Sequence, residues 1–259
     1  MKKIGIIGCG TIGTSIAEFI NSHLKNKAKV TILCDLDAKK VERLSKSISP
    51  RPIVGDIEEV IEKSDLIIEA ASVGISGKIA EIAVSRKKDV LIMSTGGLLE
   101  KPALFRKARM KKCSIYIPSG AICGMDGLRA ARLGKIQKAT LTTRKPLKGL
   151  IGAPGLDIKD IKRIKGERII YKGNAKDAVK YFPQNINVAA TLSLLGIGPR
   201  RTSVTIITSP GYKKNVHEVE IEGDFGKIFT RTENVPSKNN PKTSMLAILS
   251  AFAKLKEII

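Results

Sequence analysis

The chain is 259 residues long and 42% apolar, and its 46 basic residues against 24 acidic ones give a formal net charge of +22. That length and apolar content build a substantial core, in one large or two modest domains, and exclude wholesale disorder. No 18-residue apolar stretch is present to span a membrane and no signal peptide opens the chain, so a cytoplasmic protein is expected.

The elements begin with the apolar run Ile4 to Ile7, a buried strand that enters Gly8-x-Gly10-x-x-Gly13 and then a helical pattern of Ile12, Ile16, Ala17, Phe19 and Ile20. A glycine fingerprint between a strand and a helix points to a dinucleotide site. Gly8 allows the tight turn, Gly10 the close approach of a pyrophosphate, and Gly13 the packing of helix on strand. The phosphates would lie on the helix N-terminus at Thr11, Ile12 and Gly13. A second strand, Val30 to Cys34, ends at Asp35, where an acid can bind a ribose 2′-hydroxyl.

A lysine-rich helix follows over Ala38 to Ser47, with Val41 and Leu44 inward, then a short strand at Ile53-Val54. Asp56 is placed to cap a helix over Ile57 to Lys63. The fourth strand, Asp65 to Ala71, runs into a loop of small residues, and Ala71 and Ser72 leave room for a cofactor. Next come a helix over Ile75 to Ser85, a strand Val90 to Met93, the loop Ser94-Thr95-Gly96-Gly97, a helix from Leu98 to Lys111, and a strand Ser114 to Ile117. Apolar strands alternating with helices predict a doubly wound parallel sheet of Rossmann type over residues 1–118.

The pattern changes at Ser119. A glycine-rich bend, Ser119 to Gly127, feeds a short helix through Leu133. Strand-like stretches then follow at Ile136 to Thr143, Arg168 to Tyr171, Ser203 to Ile207, Val216 to Ile221 and Lys227 to Arg231, with a helix at Val188 to Leu195. They predict a second, α+β domain over 119–240, carrying substrate chemistry and dimerisation on a mixed or antiparallel sheet. Lys145 to Gly155 reads as a loop by its Pro and Gly content. A last helix is expected over 241–259, with Leu246, Leu249, Phe252 and Leu255 on the face that returns to the first domain.

Several classes of function are disfavoured. The lysines are spread over helix faces and loops, aromatics are 4% of residues, and no nucleic-acid-binding signature accompanies them, so no nucleic-acid partner is expected. A positive field also attracts a dianionic substrate or a dinucleotide. Cys9, Cys34, Cys113 and Cys123 form no C-x-x-C pair and have no neighbouring histidine, so no metal site is expected.

Of the two histidines, His23 reads as surface. His217 begins a strand and is either a structural residue there or a proton-transfer group. Its neighbours Lys213 and Lys214 would favour a neutral ring. Asn187 lies at a helix start inside Phe182-Pro183-Gln184-Asn185-Ile186-Asn187, as an N-cap or a ligand. Asn239-Asn240-Pro241-Lys242-Thr243-Ser244 reads as a polar helix entry whose amides and hydroxyls can bind a carboxylate.

Taken in order, the N-terminal fingerprint, Pro118-Ser119-Gly120-Ala121, and Pro183-x-x-x-Asn187-Val188-Ala189-Ala190-Thr191 carry a resemblance. So do Asn215-x-His217-Glu218-x-x-x-Glu222-Gly223-x-Phe225-Gly226 and Asn240-Pro241-Lys242-Thr243-Ser244. Together they are similar to the L-aspartate dehydrogenase family over essentially the whole chain. The resemblance implies oxidative deamination of L-aspartate to oxaloacetate and ammonia with NAD or NADP, through iminoaspartate, which can instead feed NAD biosynthesis. It implies cofactor contacts at Ala121 and Asn187 and an active-site histidine at His217. A homodimer is expected. One departure is Cys123, where similar enzymes usually carry a smaller residue, and it would narrow the pocket near the nicotinamide. The two substrate carboxylates call for cationic or amide donors, with Asn187, Arg144, Lys145, Arg200, Thr243 and Ser244 as candidates. The competing readings are another amino-acid-pathway reductase, like dihydrodipicolinate reductase or homoserine dehydrogenase, and a nucleotide sensor without turnover.

Overall fold

The computed structural model describes residues 1–157, 159, 161, 163–183, 186–237 and 240–259, without the side chains of 241 and 242. The chain forms two compact units, Met1–Pro118 with Ile248–Ile259, and Ser119–Ala247.

The first unit is built on six parallel strands: β1 (Lys2–Ile7), β2 (Ala28–Cys34), β3 (Ile53–Val54), β4 (Leu66–Glu69), β5 (Asp89–Ile92) and β6 (Ile115–Tyr116). They lie in the order β3-β2-β1-β4-β5-β6. That order reverses direction between β1 and β4, so the loops leaving these strands open a crevice at the carboxyl edge. Between the strands run α1 (Thr11–His23), α2 (Ala38–Ser47), α3 (Ile57–Lys63), α4 (Val73–Ser85) and α5 (Pro102–Met110). Ile4, Ile6, Leu66, Ile68 and Leu91 of the strands are fully buried with Ile16, Ala17 and Ile20 of α1. Asp56 caps α3 as expected, accepting from the Glu59 N–H while the Glu59 carboxylate accepts from the Asp56 N–H.

Two expectations for this unit are corrected. The single helix from Leu98 to Lys111 is a 3-10 turn at Thr95–Leu98 followed by α5, which starts at Pro102. Proline has no N–H to give and is preset for a first helical turn, so the helix restarts there. The terminal helix runs over Met245–Ile258 and not from 241. Asn240–Ser244 is a strand instead, paired with Pro236–Ser237. The helix buries Ile248, Ala251 and Leu255, with Phe252 stacked on Phe19 at 4.2 Å between ring centroids. Leu246 and Leu249, expected on the buried face, are 37% and 48% exposed.

The second unit opens with α6 (Met125–Ala131) and carries a five-stranded sheet. Its strands are β7 (Ile136–Pro146), β8 (Arg168–Asn174), β9 (Thr202–Ser209), β10 (Asn215–Gly223) and β11 (Gly226–Asn234). The order is β11-β10-β7-β9-β8; β7 and β9 are parallel and the other pairs antiparallel, so the sheet is mixed. Among the described residues, helices lie between strands at α7 (Ala175–Tyr181), which the sequence pattern does not announce, and α8 (Asn187–Leu195). Asn174 caps α7 by accepting from the Asp177 N–H. The short hairpin is β12 (Pro236–Ser237) with β13 (Asn240–Ser244), and the terminal helix is α9 (Met245–Ile258). β7 runs past Thr143 through Lys145 and Pro146, which the sequence assigns to a loop. It is held there by pairing of Arg144 with Ile207, Lys145 with Thr208 and Pro146 with Ser209.

Candidate functional site

The glycine turn of the first unit has the geometry its spacing predicts. Gly8 sits at φ +101°, and a Cβ there would lie 2.4 Å from the Ala70 backbone. A Cβ on Gly13 would lie 1.9 Å from the Gly8 carbonyl oxygen, so helix and strand meet only through a glycine. A Cβ on Gly10 would meet nothing within 4 Å, which leaves open space in front of the helix start. Gly10 caps α1 without a side chain and the first turn holds no acid, so the N–H groups of Thr11, Ile12 and Gly13 have no partner within the helix. This is a cradle that suits a pyrophosphate.

Asp35 follows β2 beside that turn. Its carboxylate accepts from the Cys9 N–H at 2.6 Å and the Asp37 N–H at 2.9 Å, which fixes it against the glycine turn. The Cys9 thiol is pushed up to about 12 by burial first and the Asp35 charge second, so it stays protonated and acts as a small apolar residue.

Glu69, at the end of β4, is a residue that sequence reasoning missed. It is 0% exposed, and its carboxylate accepts from the Ala71 N–H and the Ser94 N–H, both at 2.9 Å. Burial pushes its carboxyl upward, against the hydrogen bonds from Ser94, Ala71 and Ser72. One side chain thus ties the loop after β4 to the loop after β5. Ala71 and Ser72 themselves are exposed at the carboxyl edge. The available signal was an acid ending the run Leu66-Ile67-Ile68.

In the second unit the buried face of the sheet changes character along its strands. Rows across β11, β10, β7 and β9 begin with Ile228, Ile221, Ala139 and Thr202, then Thr230, Val219, Leu141 and Val204. The next row is Thr232, His217, Thr143 and Ile206. The last holds Asn234, Asn215, Lys145 and Thr208, with Asn215 and Lys145 one step beyond the Val216–Arg144 pair. An apolar core therefore grades into a buried polar patch.

His217 is 2% exposed, and its Nδ1 shares a 3.0 Å hydrogen bond with Thr143 Oγ1. Its imidazole is pushed down to about 3, by burial first and by the Lys145 charge second, and is neutral near pH 7. The cation responsible is therefore Lys145. The expected Lys213 and Lys214 are exposed, and Lys214 lies 3.8 Å from Glu233. Lys145 is 6% exposed, and burial pushes its ammonium down to about 8.

The remaining candidates separate clearly. Ala121 is buried, and its carbonyl accepts from Thr232 Oγ1 at 2.9 Å and Asn234 Nδ2 at 3.0 Å. Since Thr232 faces His217 across the β10–β11 pair, Ala121 and His217 share one neighbourhood. Thr143, Thr232 and Asn234 are further polar residues of this patch that sequence reasoning did not single out. Asn187 is the first residue of α8, whose cap position is Ile186 and not Asn187. Arg144 points to the opposite face and pairs with Glu218. Arg200 is exposed. Thr243 and Ser244 lie on β13, and Ser244 directly precedes α9, so the helix entry falls there and not at Pro241. Cys123 is exposed. Gln184, Asn185 and Asn239 of the polar clusters lie outside the described residues. Among the described residues no cluster of His, Cys, Asp or Glu could hold a metal ion, and no helix is long and apolar enough to cross a membrane.

The strand order of the first unit, with its glycine turn and following acid, is that of the nucleotide-binding half of nicotinamide-dependent dehydrogenases, and the chain is of that class. The family model described as homoserine dehydrogenase, NAD binding domain, matches residues 8–118, and that described as aspartate dehydrogenase, C-terminal, matches residues 126–258. An L-aspartate dehydrogenase of Methanosarcina mazei is 44% identical over 100% of this chain and 97% of its own length. One of Nitrosopumilus maritimus is 40% identical over 99% and 96%. A crystal structure of aspartate dehydrogenase from Thermotoga maritima is 26% identical and matches with a TM-score of 0.75, over 100% of this chain and 97% of that one. The chain belongs to the aspartate dehydrogenase family.

Proposed function

We propose that the chain interconverts L-aspartate with oxaloacetate and ammonia through iminoaspartate, with NAD or NADP as the hydride carrier. The observation that carries this reading is the neutral, buried His217, held by Thr143 at the polar end of an otherwise apolar sheet face. The full-length likeness to L-aspartate dehydrogenases supports the substrate.

Gly8, Gly10 and Gly13 would shape the pyrophosphate cradle, with the N–H groups of Thr11, Ile12 and Gly13 directed at it. Asp35 would hold the adenosine ribose, and Ala71 and Ser72 would border the dinucleotide. Ala121 and Asn187 would be further cofactor contacts. The nicotinamide, when bound, supplies the acceptor for the α-hydride of aspartate. In deamination, water adds to the imine carbon while His217 Nε2 accepts its proton. His217 gives that proton to the nitrogen to complete the carbinolamine, then takes the carbinolamine hydroxyl proton and passes it to the nitrogen as the C–N bond breaks and ammonia leaves. A ring held neutral can accept, and a ring held rigidly does so within the roughly 3 Å that proton transfer requires. The iminoaspartate can alternatively leave before water adds and feed NAD production.

The test is NADH oxidation by the purified protein with oxaloacetate and ammonium. Turnover is expected only when both are present. Turnover of dihydrodipicolinate or aspartate semialdehyde with none of oxaloacetate would instead favour a related reductase, and NADH binding with no turnover would favour a sensor. We further infer a cytoplasmic homodimer. The four free cysteines support a reducing compartment, and the exposed Phe229 on β11 supports pairing through the second sheet. Sedimentation at assay concentration checks the dimer.

A further inference from the structure

Lys145 is the one cation of the second unit's described residues that is almost wholly buried. Removing an ammonium from water costs several kcal/mol unless an opposite charge meets it. Among the described residues no carboxylate pairs with Lys145, whereas Arg144 beside it is matched by Glu218. Its backbone is fixed by β9: the Lys145 carbonyl accepts from Thr208 Oγ1 at 2.7 Å, so the strand cannot easily turn the side chain outward. On β7 it follows Thr143 by two residues and thus shares the face of His217. As a diagonal cross-strand neighbour it lies roughly 7–8 Å from His217, within reach of a lysine. A dicarboxylate of four carbons spans a comparable length.

Resting on the reading that the substrate is a dicarboxylate, we propose that Lys145 is the anion-receiving group of this site and forms an ion pair with one substrate carboxylate. The charge that the fold leaves unmatched is supplied by the ligand. A second consequence follows from the neighbouring ring. Burial first and the Lys145 ammonium second hold the His217 imidazole down, so an arriving carboxylate that neutralises Lys145 lifts the smaller of the two effects and makes His217 a better proton acceptor. The base is thereby strengthened by the substrate it serves.

The test compares wild type with Lys145→Met and Lys145→Arg, using malonate as an inert dicarboxylate probe. Malonate protection against thermal unfolding and malonate inhibition are measured with the KM for oxaloacetate. NADH affinity, read by fluorescence, reports an intact first unit. Lys145→Met keeps the length of the side chain and removes a buried charge, so it should fold and bind NADH normally. Its malonate and oxaloacetate affinities should each fall roughly 10- to 100-fold, the usual worth of a charged hydrogen bond. Lys145→Arg should recover part of that loss. Pyruvate, which lacks the distal carboxylate, identifies the group received: equal loss for pyruvate and oxaloacetate marks the α-carboxylate, and loss for oxaloacetate alone marks the distal one. Either pattern supports the proposal. Wild-type affinity for malonate and oxaloacetate in Lys145→Met would overturn it, even with the dehydrogenase reaction intact. If wild type binds malonate through Lys145 yet turns over no oxaloacetate with ammonium, the reaction assignment fails and the anion site stands. If wild type binds neither malonate nor oxaloacetate, both fail.

Discussion

A neutral imidazole in a buried row determines what its replacement should do. His217→Ala should keep the fold and bind NADH almost normally, while turnover falls roughly 10²–10⁴-fold, the range for a lost general acid–base. His217→Asn separates the roles, because an amide can hold a hydrogen bond but cannot exchange the proton; substantial turnover in that variant would make His217 a positioning group. Asp35→Ser should shift use from NAD toward NADP, measured as the ratio of kcat/KM values, by removing a carboxylate that suits two hydroxyls and repels a 2′-phosphate. An unchanged ratio would mean that Asp35 does not face the ribose. Stability should report the same buried groups. His217 titrates near 3 when folded and near 6.5 in an open chain, so stability present above about pH 6.5 is lost as the pH falls toward 3. Lys145, near 8 folded and about 10.4 free, acts in the same sense: the unfolded chain holds more protons in that window, so stability rises with pH across it. The Tm of wild type should therefore climb relative to Lys145→Met between about pH 8 and pH 10; parallel curves would contradict it. At this scale His217 was legible as the histidine near the start of an alternating strand. Lys145 was not separable from Arg144, because they differ by one step of strand parity, and parity is set only when the strand's extent is known.

Elements explain why some boundaries were readable and others were not. The glycine turn and the Asp56 cap are each set within one short run of consecutive residues, and such local rules survive without tertiary knowledge. The extension of β7 depends on a partner distant in sequence, Thr208 for Lys145, and β13 on the hairpin pairing of Ser244 with Pro236, so composition alone assigned them to a loop and a helix. The buried face of α9 was misread because a spacing of three fits two neighbouring stripes equally, and contact with Phe19 selects the one containing Ala251 and Phe252. The Glu69 tie between two loops predicts a separable effect. Glu69→Gln keeps one acceptor but turns an NH2 group toward a backbone N–H, at a cost of about 1–3 kcal/mol. Because Ala71 and Ser72 are held by this carboxylate, the KM for NADH should rise several-fold with a smaller change in kcat. Equal loss of both at unchanged Tm would place Glu69 elsewhere in the chemistry.

For the whole molecule, the net charge of +22 has two different expressions. Most cations are exposed and many form surface ion pairs, such as Lys138 with Glu220 and Arg86 with Glu62. Exposed pairs add little to stability and are screened by salt. Their summed field should draw a dianion toward the protein, so the KM for oxaloacetate should rise with ionic strength while kcat holds. Phosphate-driven binding would instead give a steep loss of nucleic-acid affinity with salt. Sub-micromolar binding of a duplex or RNA at physiological salt, displaced by NADH, would overturn the small-anion reading of the charge.

The first unit is also assembled from two separated pieces of chain. Its core takes Ala251 and Leu255 from α9, and the Lys2 ammonium donates to the Ile258 carbonyl, yet Ser119–Ala247 is synthesised between them. During translation the glycine turn leaves the ribosome long before the helix that completes the core beneath it. The nascent first unit must therefore wait, with an apolar face uncovered, until the inserted unit has been made. Each buried Ile, Leu or Phe side chain contributes roughly 1.5–3 kcal/mol, so the delay is substantial in energy as well as time. Competence to bind dinucleotide should thus arise after synthesis of the final helix, and chains stalled at Ala247 should be captured by chaperones and cut readily by protease.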